Sequence, residues 1–186
     1  MRLFVALDIP EDVRAAMAAL AARLRPACRA ARWVRIEGAH VTLKFIGEAP
    51  AERAEAIKAA LATVPFPAAL KIVFRGIGFF PGEHRPRVLW TGIEAGPELR
   101  ALAAAVETSL EPLGFARDQR EFSPHLTLAR FNSPDRLLGL RAAIAAAGPL
   151  EFGQTVANEF HLYQSVLKRA GAEYTRLASF GLAGPD

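Results

Sequence analysis

The strongest constraint on the fold of this chain is a repeated pattern. The sequence His-x-Thr-Leu occurs at His40 and again at His125. Each copy stands in the same order of segments: a strand, a helix that opens at a proline, the histidine strand, a second helix and an extended segment. Corresponding segments lie roughly 83 to 87 residues apart, which is agreement within the precision with which periodicity locates a boundary. The pattern predicts an internal duplication that forms two similar lobes related by a pseudo-two-fold axis.

Apolar periodicity predicts the bounds of these segments. In the first half it predicts strands over residues 2–9, 40–46 and 68–79, a short extended piece over 33–36, and helices over 10–24 and 51–64. In the second half it predicts strands over 86–94, 125–131 and 150–163, and helices over 97–113 and from Pro134. A turn near Ala170 then leads to a last strand over 173–182. We expect one bilobal domain over 1–186, with a first repeat over about 1–80 and a second over about 86–165.

Composition narrows the class of protein. Apolar residues make up 52% of the chain, which is enough to build a sizeable core. No apolar run approaches the roughly 18 residues of a membrane-spanning helix, and the single cysteine, Cys28, favours a reducing, cytoplasmic location. The net charge is +4, with 19 arginines against 4 lysines. Arginine suits phosphate contacts, but a GC-rich genome explains this bias equally well, so charge is weak support for an RNA partner.

The two histidine strands predict acid–base chemistry. Because side chains alternate across a strand, His40 and Thr42 share one face, with apolar neighbours on the other. His125 and Thr127 repeat this arrangement, so facing repeats would line one cleft with both pairs. Hydrolysis of a cyclic phosphodiester needs a base for water and an acid for the departing ribose oxygen, which two imidazoles can supply. The threonine hydroxyls can stabilise the non-bridging oxygens.

Four further residues are candidates for this cleft. Lys44 and Arg130 are expected to lie near it and to add positive charge. Phe45 and Phe122 are candidates for stacking a base, although a core position is at least as good an interpretation of Phe45. A zinc site is not expected, because the chain has four histidines, one cysteine and no His-Glu-x-x-His sequence. The sequence therefore predicts neither a metal nor a cofactor.

At these residues the chain resembles the 2H phosphoesterase superfamily, and within it the RNA 2′,3′-cyclic phosphodiesterases, historically called 2′-5′ RNA ligases. The resemblance covers essentially the whole length. It implies an α+β fold with two pseudo-symmetric lobes, each an antiparallel sheet with helices packed on it, around a central cleft. Besides the two histidine strands, it rests on residues 2–7, 32–34, 80–81, 86–90, 122–124 and 162–165, and on Gly171 and Tyr174.

The resemblance also implies an activity, which is metal-independent hydrolysis of a terminal 2′,3′-cyclic phosphate to a 2′-phosphate. His40 would be the proton donor, His125 the proton acceptor, and Thr42, Thr127 and Arg130 would hold the phosphate. The partners would be RNA ends or nucleotides that bear the cyclic phosphate, and the protein a monomer. The same acid and base can run the reverse, ATP-independent 2′-5′ ligation. Two alternatives stay open: a cyclic phosphodiesterase of small nucleotides, and a non-catalytic module that binds RNA ends.

Overall fold

The computed structural model describes residues 1–66, 70–133, 137–168 and 171–181. Its α-helices are α1 Glu11–Leu24, α2 Ala54–Ala62, α3 Pro97–Leu110 and α4 Leu138–Ala145. Its strands are β1 Arg2–Asp8, β2 Arg32–Trp33, β3 His40–Glu48, β4 Leu70–Phe80, β5 Val88–Ala95, β6 His125–Arg130, β7 Glu151–Ala157, β8 Glu159–Lys168 and β9 Gly171–Gly181. In the described part of the chain, no helix is long and apolar enough to cross a membrane.

The strands form two sheets in which every pairing is antiparallel. The first sheet has the order β3-β1-β8-β9 and the second has the order β2-β6-β5-β4-β7. The unit β1-α1-β3 of the first sheet has the same order of elements as β5-α3-β6 of the second. This arrangement confirms the α+β fold with two antiparallel sheets.

The two halves of the chain exchange strands between the sheets. Strand β4 belongs to the first half but pairs with β5, and β8 belongs to the second half but pairs with β1. Each sheet therefore takes strands from both halves of the chain. The histidine strands β3 and β6 are held beside β1 and β5, which are the strands that begin each half.

The helices pack through the stripes that the apolar spacing predicts. Val13, Met17, Leu20 and Leu24 of α1 are all buried, and α3 buries the corresponding stripe of its own. Burial of each such side chain contributes about 1.5–3 kcal/mol. Helix α3 opens at Pro97, where a missing N–H costs nothing, as its sequence predicts.

Some predicted bounds differ from the structure. The extended piece over 33–36 is instead a two-residue strand, Arg32–Trp33, followed by a 3-10 turn at Ile36–Gly38. The segment over 150–163 is two strands, β7 and β8, and the helix predicted over 51–64 opens with a 3-10 turn and ends at Ala62. The predicted boundaries at residues 68, 134, 170 and 182 lie outside the described residues.

Candidate active site

Both histidine–threonine pairs line one cavity between the two sheets. The cavity has a volume of about 400 Å³. The predicted site residues on its wall are His40, Thr42, Phe45, Phe122, His125, Thr127 and Arg130. Seven of the eight site residues proposed from the sequence therefore share one space, and the exception is Lys44.

The two imidazoles are held in the same way. His40 Nδ1 lies 2.7 Å from the carbonyl oxygen of Gly38, and His125 Nδ1 lies 2.7 Å from that of Ser123. A carbonyl oxygen can only accept a hydrogen bond, so Nδ1 carries the proton in each ring. Nε2 is then the nitrogen left to take or give a proton. Each half of the chain thus contributes one imidazole to the cavity wall, with its Nδ1 held by a backbone carbonyl.

Aromatic rings surround the imidazole of His40. The Phe4 ring stacks on it with centroids 4.4 Å apart, and the Tyr174 ring meets it edge-on at 5.2 Å. Burial among these rings removes water that would solvate a charged imidazolium. Burial therefore lowers the pKa of His40 to about 4, against smaller opposing effects of the Gly38 carbonyl and Asp8. His40 is neutral at pH 7 in the ligand-free protein.

The ring of His125 has a different environment. Phe80 contacts it edge-on with centroids 4.9 Å apart, and Trp90 packs on Phe80 at 5.0 Å. Phe80 of β4, backed by Trp90 of β5, therefore supports this ring from one side. The two imidazoles therefore have the same backbone hydrogen bond but different ring neighbours.

Arg14 holds the turn that carries the hydrogen-bond partner of His40. Its guanidinium projects from α1 and bridges four backbone carbonyls. They belong to Ile9 at 3.3 Å, Ile36 at 3.0 Å, Glu37 at 2.5 Å and Ala39 at 3.3 Å. Three of these carbonyls flank Gly38, so Arg14 fixes the position of the oxygen that orients the His40 ring.

A polar network lies behind the stack on His40. The Tyr163 ring lies 5.3 Å from Phe4 and 6.1 Å from His40, and its hydroxyl donates a hydrogen bond to Asp8, which also pairs with Arg176. Burial and the bond to Asp8 raise the pKa of Tyr163 to about 12. The His161 side chain is 2% exposed, and its Nδ1 lies 2.9 Å from Ser179 Oγ. This network fixes the wall on which His40 rests.

A β-bulge in β3 changes which side chains face the cavity. Thr42 pairs with Ala6, but Lys44 pairs with Val5, so Leu43 is an extra residue. Leu43 and Lys44 are both buried in consequence, and Phe45 is 63% exposed at the cavity wall. Strict alternation of side chains is therefore a wrong prediction beyond Thr42.

Lys44 makes an internal ion pair. Its Nζ lies 2.8 Å from Glu107 Oε1 on α3 and donates to the Ala116 carbonyl at 2.9 Å. Although burial raises the pKa of Glu107, the hydrogen bonds from Lys44 and the Asp118 N–H lower it overall. Lys44 lines a neighbouring, larger cavity, but its charge is neutralised by Glu107.

The same bulge recurs in β6. Thr127 pairs with Trp90, but Ala129 pairs with Leu89, so Leu128 is the extra residue. Ala129 is buried and Arg130 is exposed at the cavity wall. The bulge thus places Arg130 beside the two histidines, which strict alternation would not do. Within the described residues, Arg130 has no ion pair or side-chain hydrogen bond.

Comparison with known proteins agrees with this geometry. A family model described as LigT like phosphoesterase matches residues 7–90 and 93–174. The chain belongs to this family. A relative from Aeropyrum pernix, named RNA 2′,3′-cyclic phosphodiesterase, is 39% identical over 77% of this chain and 82% of its own length. A relative of the same name from Archaeoglobus fulgidus is 34% identical over 97% of this chain and 99% of its own.

Solved structures of LigT-like proteins share the fold. A crystal structure of a protein from Thermus thermophilus superposes with a TM-score of 0.80 at 34% identity and covers 100% of both chains. A crystal structure of E. coli LigT complexed with 3′-AMP has a TM-score of 0.80 at 28% identity and covers 98% of each chain. The two-sheet architecture of this phosphoesterase is therefore that of its family.

Several residues of this LigT-like phosphoesterase that shape the site were not assigned to it from the sequence. They are Phe4, Arg14, Tyr163 and Tyr174. The two tyrosines lie in segments on which the family resemblance rests, but their residue type alone does not distinguish packing from a role in the site. A lone arginine on a helix gives no signal at all. Among the described residues, no group of three His, Cys, Asp or Glu side chains is placed to hold a metal ion.

Proposed function

We propose that this protein hydrolyses the terminal 2′,3′-cyclic phosphate of RNA to a 2′-phosphate. The observation that carries the proposal is the pair of matched imidazoles on one cavity, each with Nδ1 held by a carbonyl. Its relatives from A. pernix and A. fulgidus are named RNA 2′,3′-cyclic phosphodiesterases. An acid and a base on one cavity wall are what this hydrolysis requires.

In the proposed mechanism the two histidines divide the proton transfers. His125 Nε2 takes a proton from water as the water oxygen bonds to phosphorus. The bond between phosphorus and the ribose 3′ oxygen breaks, and His40 Nε2 gives that oxygen a proton. The products are a free 3′ hydroxyl and a 2′-phosphate. A return proton transfer between the rings and solvent completes the cycle, and no metal takes part.

The low pKa of His40 sets a condition on this assignment. A proton donor must be charged before it acts, whereas burial keeps His40 neutral in the ligand-free protein. The negative phosphodiester has to raise the pKa of His40 when it enters the cavity. Binding of the substrate is then coupled to protonation of His40. The proposed acid therefore stays inactive until a phosphate is present.

Three side chains are proposed to hold the phosphate. Thr42 and Thr127 line the cavity two residues beyond each histidine, and their hydroxyls can donate to the non-bridging oxygens. Arg130 lies on the same wall and can offer two N–H groups to one phosphate. Charge that builds up on the phosphate oxygens in the transition state is stabilised by these donors.

The test is turnover of an RNA oligomer with a 2′,3′-cyclic end, in EDTA. His40→Ala and His125→Ala should each lower the rate about 10²–10⁴-fold. His84→Ala is the matched control, because His84 is exposed in a loop and lines neither cavity. Full activity of the double variant would contradict the mechanism, and wild-type binding without turnover would show a module that only binds RNA ends.

The same site also accounts for ligation, in which a 5′ hydroxyl takes the place of water. His125 Nε2 would take the proton of the 5′ hydroxyl as its oxygen bonds to phosphorus, and His40 Nε2 would protonate the departing ribose 3′ oxygen, which leaves a 2′-5′ linkage and a free 3′ hydroxyl. We propose that ATP-independent 2′-5′ ligation accompanies hydrolysis at high concentrations of RNA ends. Incubation of two oligomers without nucleotide should give a joined product with wild-type protein and none with either histidine variant.

A further inference from the structure

A second and larger cavity opens directly onto the catalytic one. Its volume is about 1080 Å³, which is above the 300–1,000 Å³ typical of a pocket for one small ligand. The two cavities share five residues: Thr42, Phe45, Phe122, Ser123 and His125. A substrate with its phosphate between the histidines can therefore continue into this space without leaving the protein surface.

The walls of the larger cavity combine aromatic rings with guanidinium groups. Phe45, Phe80 and Phe122 supply flat apolar faces on which bases can stack, whatever their identity. The arginines on its wall are Arg87, Arg100 and Arg120. Aromatic faces beside cationic groups are the combination with which proteins hold single-stranded nucleic acid.

Each of the three acidic residues of this cavity lies near a basic group. Glu107 pairs with Lys44 at 2.8 Å, Asp118 lies 3.9 Å from the same Lys44 Nζ, and Glu121 pairs with Arg100 at 2.5 Å. Arg120 has no ion pair or side-chain hydrogen bond within the described part of the chain. Its charge is therefore available to a phosphate of a bound ligand.

We propose that this larger cavity binds the nucleotides on the 5′ side of the cyclic end, so that the protein prefers RNA oligomers to mononucleotides. The inference rests on the proposed function. A 2′,3′-cyclic phosphate occupies the sugar edge of the last nucleotide, and the rest of the chain leaves through its 5′ oxygen. The smaller cavity holds the reacting phosphate, and the larger one receives the next phosphate and the bases around it.

The experiment compares two substrates that end in the same cyclic adenosine, a mononucleotide and a hexanucleotide. With wild-type protein, kcat/KM should be at least about tenfold higher for the hexanucleotide. Arg120→Ala should lower the ratio of kcat/KM for the hexanucleotide to kcat/KM for the mononucleotide about fivefold. It should also make kcat/KM for the hexanucleotide less dependent on salt concentration, by the equivalent of about one phosphate contact. Arg23→Ala is the matched control, because Arg23 is an exposed arginine on α1 that lines neither cavity.

Two results would overturn the proposal. One is equal kcat/KM of wild-type protein on both substrates. The other is an equal loss on both substrates in Arg120→Ala, which would assign the cavity to the terminal nucleotide itself. If wild-type protein turned over neither substrate, the proposed function would fail instead. Fluorescence anisotropy with a labelled hexanucleotide ending in a 2′-phosphate would then test the cavity, since unchanged affinity of Arg120→Ala would contradict it.

Discussion

The protonation of His40 should depend on whether an anion occupies the cavity. Burial among Phe4 and Tyr174 lowers its pKa to about 4 in the ligand-free protein. At pH 7 such a group is protonated in about one molecule in a thousand. The proposed donor is therefore almost entirely in its inactive form until substrate arrives.

The size of the required change can be worked out. Raising the pKa of His40 from about 4 to about 7 needs about 4 kcal/mol of preferential interaction with the charged ring. One unit charge about 4 Å from another contributes about 4 kcal/mol at the effective dielectric constant of a partly exposed protein site. A single phosphate or sulfate in contact with the ring is therefore sufficient, without any conformational change.

NMR of the histidine ring resonances measures this coupling. The resonance assigned to His40, by its loss in His40→Gln, should titrate near pH 4 in the ligand-free protein. Saturating sulfate, whose charge is constant over this range, should raise the midpoint by about two to three pH units. By linkage, sulfate should bind more tightly as the pH falls, and this dependence should weaken in His40→Gln.

Stability gives an independent readout with a defined sign. The pKa of His40 is lower in the folded protein than in the unfolded chain, so protonation favours unfolding. Above about pH 6.5 the ring is neutral in both the folded and the unfolded state, so its contribution to stability is fully present. The free energy of unfolding then falls as the pH drops towards 4. At pH 5 the loss is about 2 kcal/mol in urea unfolding, relative to pH 8, and His40→Gln should lack it. A His40 resonance that titrates at the usual histidine value without ligand, or that sulfate does not move, would refute the reasoning.

Three further predictions follow from contacts outside the histidine rings. Lys44→Met should lower the free energy of unfolding in urea by about 3–5 kcal/mol, because it leaves the Glu107 carboxylate without its ion-pair partner. Adding Glu107→Gln should restore part of that loss, and additive effects of the two substitutions would contradict the ion pair. Arg14→Met should lower kcat more than it raises KM, because the turn before the first histidine loses its four carbonyl contacts; an unchanged kcat would exclude this role. Gly78→Ala should lower the free energy of unfolding, measured by thermal unfolding, by about 1–3 kcal/mol, because a Cβ there would overlap a tryptophan ring. Gly82→Ala should leave the stability unchanged, because a Cβ at that position would have no neighbouring atom within 4 Å.

The sequence predicted the positions of the two histidines better than those of the charged residues around them. His40 and His125 could be located because each sits on a strand with the same short pattern at a matching place in its half. Arg130 lies on the cavity wall, near which it was expected, whereas Lys44 lines the neighbouring cavity and is paired with Glu107. Alternation alone accounts for neither place, because a bulge shifts the side-chain alternation of each strand. A bulge depends on pairing with β1 or β5, which no local pattern encodes.

The order of helices and strands was also predictable, but the partners of the strands were not. Apolar alternation indicates which face of a strand is buried and says nothing of the strand that lies beside it. The exchange of β4 and β8 between the sheets could therefore not be predicted from the sequence. We propose that the halves derive from an internal duplication; matched strand orders and matched bulges in β3 and β6 support this proposal.

The strand exchange has a consequence for the nascent chain. Strand β1 pairs with β8, which lies roughly 150 residues further along, so ribosomes making about 5–20 residues per second need about 8 to 30 s to supply the partner. Throughout that interval one edge of β1 stays open, with Leu3, Val5 and Leu7 lacking their final neighbours. Chaperones that bind short apolar segments have this window in which to act, and a protease can most easily destroy a stalled polypeptide during it.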